Sequence, residues 1–208
     1  MKTEDLINKL ARDAKPTRTL SPLSSRLFLW VFVALVSIGI GVAIFGMRPD
    51  LTQKLGTSNF MLENAAILII ALCAAFGALV LSVPVGERKT RIKWLPAIGV
   101  VIWFGILVSK LFTSQIFHLD CGFSCIRDIA LLGFIPGALL FYMVKKGAST
   151  HPGAAGFLAV LAATSFGSLG VQFLCKNDEA IHVLLWHLTP ALLLGFIGYA
   201  LSRPLLRW

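Results

Sequence analysis

Residues 27–47 read LFLWVFVALVSIGIGVAIFGM, a run bounded by Arg26 and Arg48 with no charge inside it. A helix rises 1.5 Å per residue, so this run is long enough to cross the roughly 30 Å hydrocarbon core of a bilayer. Charges are also absent from Asn64 to Gly86, from Gly147 to Cys175 and from Ala180 to Ser202. Two shorter runs complete the set. Trp94–Ser109 extends past Lys110, whose long side chain can snorkel to an interface, and Ile129–Val144 extends back through Ile126. The pattern predicts an all-α integral membrane protein. A six-helix transmembrane domain covers residues 26–208, with helices at about 27–47, 61–83, 94–114, 125–144, 154–175 and 180–201.

Composition agrees. Of 208 residues, 57% are hydrophobic and 14% charged, against roughly 25% charged in soluble domains. Mean hydropathy is +0.82, more apolar surface than a water-soluble domain of this size can hide. The net charge of +9 therefore reads as topology, with no direct nucleic-acid partner. With the N-terminus inside, the inner segments carry 14 Lys and Arg and the outer segments carry 5: Arg48, Lys54, Lys110, Arg127 and Lys176. The positive-inside rule places both termini in the cytoplasm. No cleavable signal peptide is expected, because a polar segment precedes the first apolar run.

That polar segment, residues 1–25, is the cytosolic part. Leu6, Ile7 and Leu10 share one face at helical spacing, while Lys9, Arg12 and Asp13 lie off it, so a short amphipathic helix is expected. Pro16 ends it. The segment is a frayed tail, a helix lying on the lipid surface, or a handle for a cytosolic partner.

Chemistry concentrates in Phe117–Asp128, FHLDCGFSCIRD, on the outer side. Cys121 and Cys125 flank the start of the fourth span and Cys175 is placed at the end of the fifth; Cys73 is mid-span and reads as apolar filler. Three readings stay open for the outer cysteines: a stable disulfide, a switch that changes state with oxidant or soft metal, or plain thiols. His118 or His182 could complete a ligand set for a soft metal ion; no cofactor is otherwise required, and no organic cofactor is expected. His182 and His187 are five residues apart, about 140° around an ideal helix, a poor metal pair by themselves. His187 lies inside the membrane, where an imidazole needs a partner, and Gln172 is the candidate. Gly133-x-x-x-Gly137 and Gly195-x-x-Gly198 read as helix packing, and Pro136 as a kink in the fourth span.

Taken in order, several short stretches resemble the NrsF family of membrane anti-sigma factors. They are the opening KTEDLI, RPDL at Arg48–Leu51, SVPVGER after the second span, the run from Gln172 through Cys175, Asp178, His182 and Trp186 to His187, and the closing Arg207-Trp208. The resemblance implies six spans in a bacterial inner membrane, an extracytoplasmic-function sigma factor as partner, and outer cysteines that sense metal or oxidative stress. It pairs Cys125 with Cys175 and leaves Cys121 as an extra. It does not fix the sigma-binding residues; the pattern of the N-terminal helix nominates Leu6, Ile7, Leu10 and Arg12. The expected function is thus a non-enzymatic binding protein. A small transporter or channel is the first rival, although acidic groups sit near span ends and only His187 and Cys73 are deep. A membrane thiol oxidoreductase is the second, although it would want C-x-x-C where this chain has C-x-x-x-C.

Overall fold

The computed structural model describes residues 3–13, 19–84, 91–113 and 122–206. Among these there is no strand. Helix α1 spans Thr3–Asp13 and α2 spans Leu23–Phe45; a short α3, Leu51–Leu55, precedes α4, Ser58–Leu81. Then come α5, Leu95–Thr113, α6, Phe123–Lys145, and α7, Pro152–Val171. The last span begins as α8, Ala180–Val183, passes through a π turn at Leu184–Leu188, and continues as α9, Thr189–Leu205. Six of these segments are long and apolar enough to cross a membrane.

Helix α7 is the axis of the bundle. Its sequence, PGAAGFLAVLAATSFGSLGV, is uncharged and rich in Gly, Ala and Ser, so neighbouring helices can approach it closely on several sides. It packs against α4, α6 and α9, with α2 also in contact, and 83% of its spanning window is buried. The outer helices show the reverse. On α2, Phe28, Phe32, Leu35, Ile40 and Ile44 are exposed, as suits a surface whose solvent is lipid.

Pro136 inside α6 removes the amide that would bond to the carbonyl of Leu132, four residues earlier. The Ser37 hydroxyl of α2 donates to that carbonyl at 2.8 Å, and Trp30 Nε1 donates to the Pro136 carbonyl at 2.9 Å. Trp30 and Trp103 are fully buried core residues, while Trp94 is exposed.

Arg26, buried at the start of α2, donates to the Leu79 carbonyl at 3.1 Å and the Ser82 hydroxyl at 3.3 Å. It thus caps the C-terminal end of α4, where a helix dipole favours a cation. Ser149 Oγ donates to the Leu81 carbonyl nearby. These contacts mark one end of the bundle. The opposite end gathers the segment after α2, the starts of α4, α6 and α8, and the segment after α7.

Four helix limits differ from expectation by three residues or more. Helix α2 starts at Leu23, not 27, α4 starts at Ser58, not 61, α7 stops at Val171, not 175, and the last span runs to Leu205, not 201. After Ser168 the bonding tightens: Phe173 N–H donates to Gly170 and Leu174 N–H to Val171, three residues back, which ends the helix in a turn.

Candidate functional site

Two glycines bring α6 and α7 together. A Cβ at Gly167 would lie 2.4 Å from the Ile129 carbonyl oxygen, and one at Gly133 would lie 2.8 Å from the Ala163 carbonyl oxygen, so the helices touch backbone to backbone. From Gly133 back to Cys125, and from Gly167 on to Cys175, is eight residues in each case, so the antiparallel chains carry both cysteines to the same end. Gly122, just before α6, lies on the Trp186 ring, where a Cβ would fall 2.3 Å from the indole. That contact seats the start of α6 against the last span.

The last span brings the histidines. In the π turn Thr189 N–H donates to the Leu184 carbonyl, five residues back. A turn of that width holds more residues than an α turn, so positions five apart come onto one face. His182 and His187 sit edge to face with ring centroids 5.7 Å apart. The ideal-helix separation expected from sequence does not hold here, because the helix is not ideal across that interval.

Cys125 Sγ and Cys175 Sγ are 3.6 Å apart. His182 Nε2 lies 3.5 Å from Cys125 Sγ and 3.7 Å from Cys175 Sγ. One ligand atom from each of Cys125, Cys175, His182 and His187 lies within 4.8 Å of all the others. Cys125, His182 and His187 are buried and Cys175 is half-buried. Cys175, beyond the end of α7, is held below the ordinary thiol range, first because Cys125 Sγ donates to it. The arrangement suits two chemistries: closure of a disulfide by a small approach of the sulfurs, or chelation of an ion that accepts sulfur and imidazole.

A charge cluster that sequence reasoning missed supports the site. Arg48, its side chain fully buried, bonds both carboxylate oxygens of Asp50 at 2.8 and 2.9 Å and both of Asp178 at 2.6 and 2.9 Å. Lys54 also pairs with Asp178, at 2.6 Å. The backbone joins in: Arg48 N–H donates to the Phe173 carbonyl at 3.0 Å. The segment carrying Cys175 is thus tied to the end of α2. Arg48 and Asp50 lie in the RPDL stretch, a signal that was on view without showing its partner. Beside this cluster, Glu63 of α4 is paired with Lys110 of α5.

The other expected residues fall as follows. Leu6, Ile7 and Leu10 are exposed on α1, with Arg12 in its last turn. Gln172 is buried, yet its amide nitrogen and both His187 nitrogens lack hydrogen-bond partners, so the expected Gln172–His187 bond is not made. His187 faces the cysteines because the π turn rotates it there. His118 and Cys121 lie outside the described residues. Cys73 is a half-buried free thiol in the middle of α4.

Comparison with known proteins adds three findings. The family model for NrsF, described as a negative regulator of sigma F, matches residues 10–208. A protein named "Probable anti-sigma-F factor NrsF" from Azospira oryzae is 27% identical over 217 residues, covering 100% of both chains. "Anti-sigma-F factor NrsF" from Caulobacter vibrioides is 28% identical over 221 residues, again covering 100% of both. No solved structure matches the chain.

Proposed function

Because the chain belongs to the NrsF family, we propose that it is an anti-sigma factor that holds an extracytoplasmic-function sigma factor at the bacterial inner membrane. The sigma factor is released when the outer pair Cys125 and Cys175 changes state under metal or oxidative stress. The observation that carries this reading is the 3.6 Å approach of the two sulfurs at one end of a bundle whose opposite end adjoins the chain leading to α1. The 14-to-5 distribution of basic residues supports an orientation with the cysteines outside and α1 inside.

Leu6, Ile7 and Leu10, between 41% and 62% exposed, offer an apolar face that a partner can cover, with Arg12 at its side. Burying three such side chains contributes roughly 4–9 kcal/mol before the cost of ordering the helix. A route between the two ends is available. Helix α6 carries Cys125 in its first turn and is bonded to α2 through Ser37 and Trp30, and α2 continues from the segment that carries α1. For a ligand or oxidant to shift such an equilibrium from mostly holding to mostly releasing, it must favour one state by about 5 kcal/mol.

The test is retention of the sigma factor on the tagged full chain in detergent. Wild type retains it stoichiometrically at rest and loses it on treatment with a soft metal or mild oxidant. Leu6→Asp with Leu10→Asp fails to retain it. Full retention by that double variant would move the contact off α1, and no retention by wild type would refute the reading.

A further inference from the structure

We propose that Cys125, Cys175, His182 and His187 form one four-ligand tetrahedral site for a divalent ion of the zinc and cadmium type. This deepens the reading of the cysteines as the responsive pair, and rests on it only for the link to sigma release.

The distances carry the inference. Zinc–sulfur bonds of about 2.3 Å and zinc–nitrogen bonds of about 2.0–2.1 Å, set at tetrahedral angles, place two sulfurs about 3.8 Å apart and a sulfur and a nitrogen about 3.6 Å apart. The three separations among Cys125 Sγ, Cys175 Sγ and His182 Nε2 are 3.6, 3.5 and 3.7 Å, one face of such a tetrahedron. The fourth ligand atom, on His187, is within 4.8 Å of all three. His187 is fully buried and neither ring nitrogen has a hydrogen-bond partner. Buried polar groups are nearly always satisfied, so an imidazole brought by a π turn to face two thiols and a second imidazole is best satisfied by a shared ion.

Donor chemistry selects the ion. Two sulfurs and two imidazoles suit zinc or cadmium, whereas magnesium and calcium require oxygen ligands. The nearby Asp178 carboxylate is already engaged by Arg48 and Lys54. As the ion binds, any proton still held by the two sulfurs leaves to water, so that both ligate as thiolates. Two thiolates, two neutral imidazoles and a divalent cation then sum to zero, which keeps net charge out of the buried site.

The experiment is titration of the reduced full chain in detergent with cobalt(II), a spectroscopic substitute for zinc. Wild type should take up one ion per chain with the intense visible bands of a tetrahedral thiolate site, displaced by zinc or cadmium. His182→Asn and His187→Asn should each weaken binding by more than about tenfold, since losing even an outer partner of a ligand costs 10–100-fold. His187→Cys keeps four ligands and should still bind, with shifted bands, which protects the test should an Asn variant fold poorly. Cys73→Ser should titrate as wild type. Weak bands of a six-coordinate ion, no uptake by wild type, or undiminished wild-type affinity in both Asn variants would overturn the proposal. Sigma retention, measured on the same samples, separates the two readings. Metal uptake without release counts against the regulatory reading alone, and release by oxidant without metal uptake counts against this site alone.

Discussion

Arg48 reaches across 130 residues of sequence to place its guanidinium on both carboxylate oxygens of Asp178. The two nitrogens fit the two oxygens in parallel, the strongest form of such a pair. Because Arg48 is fully buried, removing it leaves Asp50 without its bidentate partner and Asp178 with only the half-exposed Lys54. Arg48→Leu should cost roughly 3 kcal/mol, the lower part of the range for breaking a buried pair. Thermal unfolding in detergent should then fall by about 6–12 °C. An unchanged unfolding temperature would show that the clamp is dispensable.

The same clamp predicts a pH profile. Asp50 is lowered from 3.8 to about 2, first by its hydrogen bonds from Arg48. Burial raises Asp178, but the bonds from Arg48 and Lys54 outweigh it and leave it lowered too. Carboxyls depressed in the folded state stabilise fully above their unfolded values, and that contribution is lost as pH falls through the folded ones. The unfolding temperature should hold between roughly pH 5 and 8 and drop below about pH 4. Arg48→Leu should show a smaller drop.

Ser37→Ala should cost about 1–3 kcal/mol, because it leaves the Leu132 carbonyl buried without a donor. In a Pro136→Ala background the restored amide at position 136 can bond to Leu132 itself. The serine should then matter by less than about 1 kcal/mol. Denaturation of the two single variants and the double variant checks this, and simple additivity would refute it.

Gly167→Ala should destabilise by about 1–3 kcal/mol, as its methyl group meets the Ile129 backbone. It should also slow disulfide formation between Cys125 and Cys175 under mild oxidant, by spreading α6 from α7. Gly39→Ala is the control: nothing lies within 4 Å of its Cβ position, and loss of glycine from a helix should be neutral or favourable.

For topology, a membrane-impermeant maleimide on intact, reduced spheroplasts should label Cys175, which is half-buried, faster than Cys73 at mid-span. Labelling that waits for permeabilisation would reverse the assigned orientation. In reporter assays, Cys125→Ser and Cys175→Ser should each repress yet no longer respond, while Cys121→Ser should respond nearly as wild type. Normal induction in both of the first two would leave the pair idle.

The six spans were legible because partition into lipid depends on composition, which a run such as 27–47 displays directly. The site was only half legible. Cys125 and Cys175 could be placed at one end from span counting alone. His187 could not, because counting 100° per residue presumes an α-helix, and the π turn at Leu184–Leu188 becomes visible only once the helix is packed. Arg48 and Asp178 each stood in a stretch that drew attention, but nothing local pairs residues so far apart. The end of α7 moved from 175 to Val171 for a related reason: hydropathy continues through Phe173 and Leu174, while the backbone there is held by Arg48.

Helix α7 bears on how the chain is assembled. Its mean hydropathy of 1.7 is well below the 2.7 of α2, and Thr164, Ser165 and Ser168 lie within it. Set alone in lipid, it would offer hydroxyls to hydrocarbon. By the order of synthesis, α4 and α6 precede it and α9 follows. The nascent helix is therefore received into a cleft already walled on two sides, and its last wall arrives after it. Its sideways exit from the insertion machinery is a transfer from protein to protein, with little lipid contact between. Chains stalled before α9 emerges should keep α7 cross-linkable to the insertase, and chains long enough to include α9 should let it go.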